Sequence, residues 1–444
     1  MLNMLIMAAV GLGVAWVMYY AVGAVAGSLK VGLGALVVTF LTTTALSGSQ
    51  GLQIGINIYP EDLACTVVFF AATVRHLMNF KFLEWKPFLA VSGMILTFVE
   101  FLRGALEVGL KPAGQETRGA YYTFAVLLYV LSFEIGDDEW KDILNSLRWM
   151  TTGVMAITVI RWGMIATGLA GTASFADPDA VGGGLRVVPS ICALIVSESF
   201  LVESYYLKFR NQTAWMRYIP AVLFISIVAL QHRTLWVSII PPVLWLGSGD
   251  RRFRRYATAI ILIGGLGVMA LLTTNIAPGI REAFLESATN DGTMLWRINS
   301  WQGTISNWRN SDAISHIFGT PFGVANPRVM SNGTTVDMSS HDYLVDTLAR
   351  LGAAGVVLVV IILGAALWQS IKLTYRHNTD QENPGRLMVA LMLLILGYCV
   401  TYGPDYYQMA LIGGLLIYRP RRIEGIPDNR TPQAKYVTTI LSSR

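Results

Sequence analysis

The chain has 444 residues, 54% of them hydrophobic and only 14% charged, and its 33 basic residues outnumber 28 acidic ones for a net charge of +5. Soluble globular chains carry about 25% charged residues, so a soluble enzyme is a poor fit, as are a disordered scaffold and a disulfide-rich secreted module. The composition is that of a membrane protein, and so mild a positive charge gives no reason to expect a nucleic-acid partner.

In chain order, the apolar blocks run from Met4 to Gly27, Val31 to Ala45, Leu63 to Val74, Phe88 to Val108, Tyr121 to Phe133, Met150 to Leu169, Val187 to Leu207 and Tyr218 to Leu230. They continue with Leu235 to Leu246, Tyr256 to Ile276, Leu351 to Ile371, Leu387 to Val400 and Tyr406 to Tyr418. Short polar joints between them give bilayer-crossing spacing. An all-α fold is predicted: a polytopic membrane helix bundle of about 12 to 13 transmembrane helices, with a helical outward-facing loop domain between the last spans. The first block has no Lys or Arg before it and is long enough to cross, so an uncleaved membrane helix is expected there. Cys65, Cys192 and Cys399 each sit inside an apolar block, without CxxC or zinc-type spacing.

Basic residues of short loops stay on the cytoplasmic side. Lys30, the joint with Arg75, Lys81 and Lys86, and those with Lys141, Lys208, Arg251 to Arg255 and Lys372 alternate with poorly basic joints. The tail beginning at Arg419 falls with the basic set, which predicts a cytoplasmic C-terminus. The glycine-rich joint up to Arg186, the short joint around Arg233 and the loop Ala277 to Leu348 then face outward together. Connections as long as that last loop are usually functional or disordered. Here Ile298, Trp301, Ile305 and Trp308 recur at helical spacing, and Ser340 is placed to cap a second helix through Leu344 and Leu348. Two amphipathic helices over the outer boundary are expected. The segments divide as 1–186, N-terminal transmembrane helices; 187–276, transmembrane helices bearing Arg233; 277–348, outward-facing loop domain; 349–418, C-terminal transmembrane helices; and 419–444, a basic tail.

Four outward residues carry the chemistry. Arg233 interrupts two apolar stretches in Gln231-His232-Arg233-Thr234, where an arginine at depth costs about 2.5 to 3.5 kcal/mol and must either snorkel outward or meet an anion. Arg297 lies four residues before Trp301 on one helical face, where stacking on an indole is the bland alternative. Arg186 follows Gly182-Gly183-Gly184-Leu185, which otherwise makes a flexible joint with a boundary arginine. His341 begins Ser340-His341-Asp342-Tyr343, and an imidazole titrating near pH 6.5 can take a proton at neutral pH, with Asp342 or Asp346 to orient it. Asp346 and Arg350 have helix-surface ion-pair spacing. Guanidinium forks match phosphate oxygens bidentately and keep their charge. Arginines plus one histidine on one side of a bilayer, without a histidine cluster or paired carboxylates, suit a lipid-phosphate donor attacked by a neutral hydroxyl.

From Val187 to Val400 the chain resembles the O-antigen ligase and polymerase family of bacterial envelope glycan assembly. The resemblance rests on Leu230-Gln231-His232-Arg233, the Arg297 to Trp301 segment, the Phe318-Gly319-Thr320-Pro321-Phe322-Gly323 turn, and His341-Asp342-Tyr343-Leu344 running into Leu351-Gly352-Ala353-Ala354-Gly355. It implies a multi-pass protein of the bacterial inner membrane with a periplasmic active site. The implied reaction moves a glycan from an undecaprenyl-pyrophosphate carrier to an acceptor sugar hydroxyl, in one inverting displacement without cofactor or metal ion. His341 would be the general base, Arg233 and Arg297 would hold the pyrophosphate, and Arg186, Trp301 and Asp342 would line the substrate site. Donor, acceptor, lipid bilayer and other envelope glycan assembly proteins are the partners implied.

Two departures stand out: Asp342 replaces the family's usual asparagine, and His232 replaces a small hydroxylated residue before the arginine. The acceptor is either another carrier-linked saccharide, making a polymerase, or a lipid A core, making a ligase; Gln50 to Gln53 and Tyr59 to Asp62 lean towards the polymerase. A transporter of lipid-linked sugars is the rival, resting on Glu100, Arg103 and Arg161 within apolar blocks, though no internal repeat supports it.

Overall fold

The computed structural model describes residues 16–46, 52–54, 56–79, 84–171, 186–207, 217–249, 253–255, 258–259, 262, 292–330, 333–337, 339–376 and 384–420. Most of the expected crossing at 256–276, the run Gly182 to Leu185 before Arg186, the start of the long loop and nearly all of the basic tail lie outside them. The fold is mostly helical. Its helices are α1 (Trp16–Gly27), α2 (Leu29–Leu46), α3 (Pro60–Asn79), α4 (Trp85–Val108), α5 (Leu110–Leu131), α6 (Asp137–Ala166), α7 (Ser190–Tyr206), α8 (Ile219–Ala229), α9 (Arg233–Ser238) and α10 (Ile240–Gly249). The loop contributes α11 (Gly292–Arg309) and α12 (Ala313–Phe318), followed by α13 (Tyr343–Arg376), α14 (Pro384–Cys399) and α15 (Tyr406–Ile417).

Among the described residues, α2, α4, α6 and the Tyr343–Tyr375 stretch of α13 are each long and apolar enough to cross a membrane, whereas α1, α8, α14 and α15 are apolar but shorter. This supports a polytopic helical membrane protein, with four qualifying helices where the apolar blocks led us to expect 12 to 13. The expected helical class holds for most of the described residues, with few strands besides. Two antiparallel hairpins occur, β1 (Leu52–Ile54) with β2 (Ile56–Ile58), and β3 (Arg328–Val329) with β4 (Thr335–Val336).

Several helices outrun the apolar blocks that announced them. Helix α5 starts at Leu110 rather than Tyr121 because Pro112 is tolerated in a first turn and its polar side chains find partners beyond the apolar region. Arg118 Nε pairs with Asp62 at 3.0 Å, and Glu116 pairs with Arg350 at 2.5 Å. Helix α6 starts at Asp137 rather than Met150, with Asp137, Asp138 and Glu139 at the positive end of its dipole and Glu139 accepting the Gly136 N–H at 2.9 Å. At 30 residues it is about 45 Å long, well beyond a hydrocarbon core of about 30 Å.

The joints sort to two ends of the bundle. At one, Arg75 reaches the carbonyls of Ala26 and Ser132, Lys86 reaches that of Leu416, and Tyr418 bonds Asp137. At the other, Glu116 accepts the Gly323 N–H of the loop and pairs with Arg350, while Arg118 pairs with Asp62. Charges inside the apolar blocks are engaged locally. Glu100, 0% exposed, accepts two bonds from Arg103 at 2.7 and 2.8 Å, and Arg161 donates to Val187, Thr44 and Ala45 carbonyls.

The loop is built on α11, which matches the expected Met294 to Trp308 helix. The second expected helix is capped by Asp342, whose Oδ1 accepts the Val345 N–H at 2.8 Å. Ser340 instead gives its N–H and hydroxyl to Asp346, both at 2.7 Å. That helix does not stop at the membrane boundary: α13 continues from the loop across 348/349, its one non-helical residue being Gly352 with φ 62°. Asp346 therefore holds the serines rather than the expected Arg350, which bonds Glu116 and the Val324 carbonyl.

Candidate functional site

Arg186 precedes α7, and its Nε and Nη2 donate to the Gln231 carbonyl at 3.2 and 3.0 Å. This bond sets one arginine on the turn that carries another, since Leu230, Gln231 and His232 separate α8 from α9 and Arg233 is the first residue of α9. The apolar stretch after Arg233 is interrupted at Ile239, between α9 and α10, and Pro241 and Pro242 occupy the first turn of α10.

His232 is 3% exposed, and its Nε2–H donates to the Val188 carbonyl at 3.3 Å. Burial pushes its imidazole down to about 3, helped by the positive charges of Arg186 and Arg297. Two guanidiniums from distant parts of the chain thus act electrostatically on one buried, neutral ring. Neutral at physiological pH and so weak a base, His232 is unsuited to taking a proton from substrate.

Arg297, on α11, donates from Nη2 to the Tyr402 hydroxyl at 2.8 Å and lies 4.9 Å above that ring. Its stacking partner is this tyrosine, whereas the bland alternative from the sequence was an indole. Arg297 Nε is buried with no hydrogen-bond partner. Among the described residues, neither Arg186 nor Arg297 forms a salt bridge with a carboxylate.

Tyr402, in the turn between α14 and α15, stacks on Tyr398 at 5.3 Å, and the Tyr398 hydroxyl is 2.9 Å from Ser190. The His341 ring lies 6.0 Å from Tyr402 and 5.5 Å from Trp296. Thr401 bonds Thr234, next to Arg233, at 2.9 Å. The Arg186–Arg233 turn, Arg297 and His341 are thus drawn together around the Tyr402 turn.

The His341 loop is held from both flanks. Trp301 Nε1 donates to the Ser340 carbonyl at 2.8 Å, so this indole positions the histidine's neighbour. Ser339 Oγ accepts the His341 N–H at 3.1 Å, and Arg328 ties Ser339 O to Ser300 Oγ at 3.1 and 2.8 Å. The Asp342 carboxylate caps α13, and burial holds its carboxyl above its ordinary range.

Among the described residues the only non-glycine residues with positive φ are Gln231 (57°) and His341 (56°), and both flank this site. Left-handed backbone at such residues is uncommon and costs of order 1–3 kcal/mol each, persisting where surrounding structure enforces it. Tyr402 and Arg328 were not singled out by the sequence; an aromatic inside the polar turn Thr401 to Asp405 was the one available hint.

Guanidiniums of which one keeps a buried, unmet N–H, with an imidazole nearby, are chemically matched to an oxyanion that accepts several charge-assisted hydrogen bonds. No protein-family model and no curated protein sequence matches this chain.

Proposed function

We propose that this protein is an inverting glycosyltransferase of the bacterial inner membrane. It would move a glycan from an undecaprenyl-pyrophosphate carrier to an acceptor sugar hydroxyl at the periplasmic face, as its resemblance to the O-antigen ligase and polymerase family implies. The observation that carries the proposal is the buried, unpartnered Nε of Arg297, in a site where the charges of Arg297 and Arg186 both act on the His232 ring. A diphosphate supplies the missing acceptor and the missing negative charge. In this reading the bundle has about 12 to 13 crossings, the loop lies in the periplasm and the tail in the cytoplasm.

In the reaction, His341 removes the proton of the acceptor hydroxyl as its oxygen attacks the anomeric carbon. The bond from that carbon to the carrier pyrophosphate breaks on the opposite face, its electron pair leaves on the phosphate oxygen, and configuration inverts. Arg297 and Arg233 meet the charge growing there; only contacts stronger in the transition state than in the bound donor accelerate the step. Arg186 holds the Gln231 turn and adds positive charge, while Trp301 and Asp342 hold the histidine loop and helix. The acceptor we favour is a second carrier-linked saccharide, which makes the protein a polymerase. Glu100, Arg103 and Arg161, the basis for a transport reading, are engaged within the bundle.

The test is transfer by purified protein given lipid-pyrophosphate glycan and two acceptors, one carrier-linked and one lipid A core, with EDTA present. Extension of the carrier-linked acceptor is expected. Extension of the lipid A core alone would make it a ligase, and a strict metal requirement or no transfer to either would overturn the mechanism.

A further inference from the structure

A cavity of about 610 Å³ lies behind the histidine loop, among Glu116, Asn326, Arg328, Asp337, Asp346 and Arg350. Its volume falls within the roughly 300–1,000 Å³ typical of small-molecule sites, and no residue of the pyrophosphate site lines it. Two of its walls nevertheless belong to the catalytic loop. Ser339 and Asp346 both line the cavity, bond each other at 2.5 Å, and fix the backbone of Ser340 and His341.

The lining defines what fits. Three carboxylates face two guanidiniums, so an anionic ligand meets net repulsion. Both guanidiniums are also engaged: Arg350 with Glu116, and Arg328 with Ser300 and Ser339. A metal ion is equally unsuited, because among the described residues no three carboxylate, histidine or cysteine side chains converge as ligands. A neutral molecule dense in hydroxyls remains, since each hydroxyl both donates to a carboxylate and accepts from an amide or guanidinium. Asp337 suits this role best: its Oδ1 holds the Asn326 N–H at 2.9 Å and the side chain is exposed.

We infer that this cavity is a saccharide-binding subsite that holds one or two neutral sugar residues of the acceptor glycan, and that its Ser339–Asp346 wall sets His341 against the acceptor hydroxyl. The inference rests on the glycosyl-transfer reading above. It adds the region of the acceptor that is recognised and the residues that recognise it.

Two variants test it. Gly119 lines the cavity on α5, and a Cβ there meets nothing within 4 Å, so Gly119→Leu fills the space while keeping the helix. Asp337→Ala removes one exposed carboxylate. Detergent-solubilised protein is applied to an array of neutral and acidic oligosaccharides, and acceptor and donor KM are measured separately in the transfer assay. Wild type is expected to retain neutral saccharides, Gly119→Leu to lose them, and Asp337→Ala to raise acceptor KM about tenfold or more, the loss of one hydrogen bond to a charged group. Donor KM should stay unchanged in both. Retention of no saccharide, preference for acidic glycans, or equal retention by Gly119→Leu would overturn the subsite. Transfer by wild type with acceptor KM unaltered in both variants would also overturn it while leaving the transferase reading standing. Saccharide retention that Gly119→Leu abolishes, without any transfer by wild type, would do the reverse.

Discussion

Arg297 shows why the fork of a guanidinium matters here. Nη2 is committed to Tyr402, the π-face to the same ring, and Nε is buried with its N–H unmet. A lysine can supply one point charge but not both directions, so Arg297→Lys is expected to lower kcat/KM by at least tenfold, measured in the transfer assay against a folded control. His341→Ala is expected to stop turnover while leaving donor affinity within about twofold, since a general base contributes about 10²–10⁴-fold to rate and little to holding pyrophosphate. Unchanged turnover in that variant would remove the histidine from the chemistry. His232 gives a separate pH signature. The unfolded chain binds its proton near pH 6.5, whereas burial and the two guanidiniums delay protonation of the folded protein to about pH 3. Stability from the neutral ring is therefore complete above about pH 6.5 and declines as pH falls towards 3. Thermal unfolding in detergent should show this slope in wild type and a shallower one in His232→Gln. At this scale Arg186, Arg233, Arg297 and His341 were legible, because charge and imidazole are rare in so apolar a chain. Tyr402 and Arg328 were not, because an aromatic at a boundary and an arginine in a polar loop look ordinary until their partners are known.

Between elements, glycines set how closely the loop approaches the bundle. A Cβ on Gly104 of α4 would lie 1.9 Å from the Phe322 carbonyl oxygen, and one on Gly352 of α13 would lie 2.3 Å from that of Ile317. Gly352 also needs φ 62°, which a β-carbon disfavours. The Phe318 to Gly323 turn thus packs on α4 and α13, where Arg103 and Arg350 also bond its carbonyls. Gly352→Val is expected to destabilise by about 2–4 kcal/mol through backbone strain and overpacking, read as a lower unfolding temperature and reduced yield in detergent. A variant as stable as wild type would show that this close approach is dispensable. The turn motif was visible in sequence, but its contact with α4 was not, since a helix-interior glycine has many possible causes. Helix ends misled for a related reason. Hydropathy marks the stretch that avoids water, whereas α5 and α6 extend past it on ion pairs and an N-terminal cap that hydropathy does not register.

For the whole molecule, alternation of basic and non-basic joints leads us to expect that the two ends of the bundle lie on opposite sides of the membrane. Cysteine mapping can assign them, because Cys65, Cys192 and Cys399 are all buried. Gln115→Cys is expected to react with a membrane-impermeant maleimide in intact cells, after the outer membrane is made leaky, whereas Lys30→Cys should react only when the inner membrane is opened. The reverse pattern would put the site on the cytoplasmic side and remove a periplasmic reaction. Most of the bundle was legible because apolar blocks dominate the chain; the two hairpins were not, each being only two or three residues per strand. The central claim is that loop and bundle bring guanidiniums together to grip a diphosphate. The most direct measurement is a titration of purified protein with undecaprenyl pyrophosphate, wild type against Arg297→Ala. Losing charge-assisted bonds worth about 1.5–3 kcal/mol should weaken binding by about 10- to 150-fold; equal affinity in the two proteins would contradict the claim.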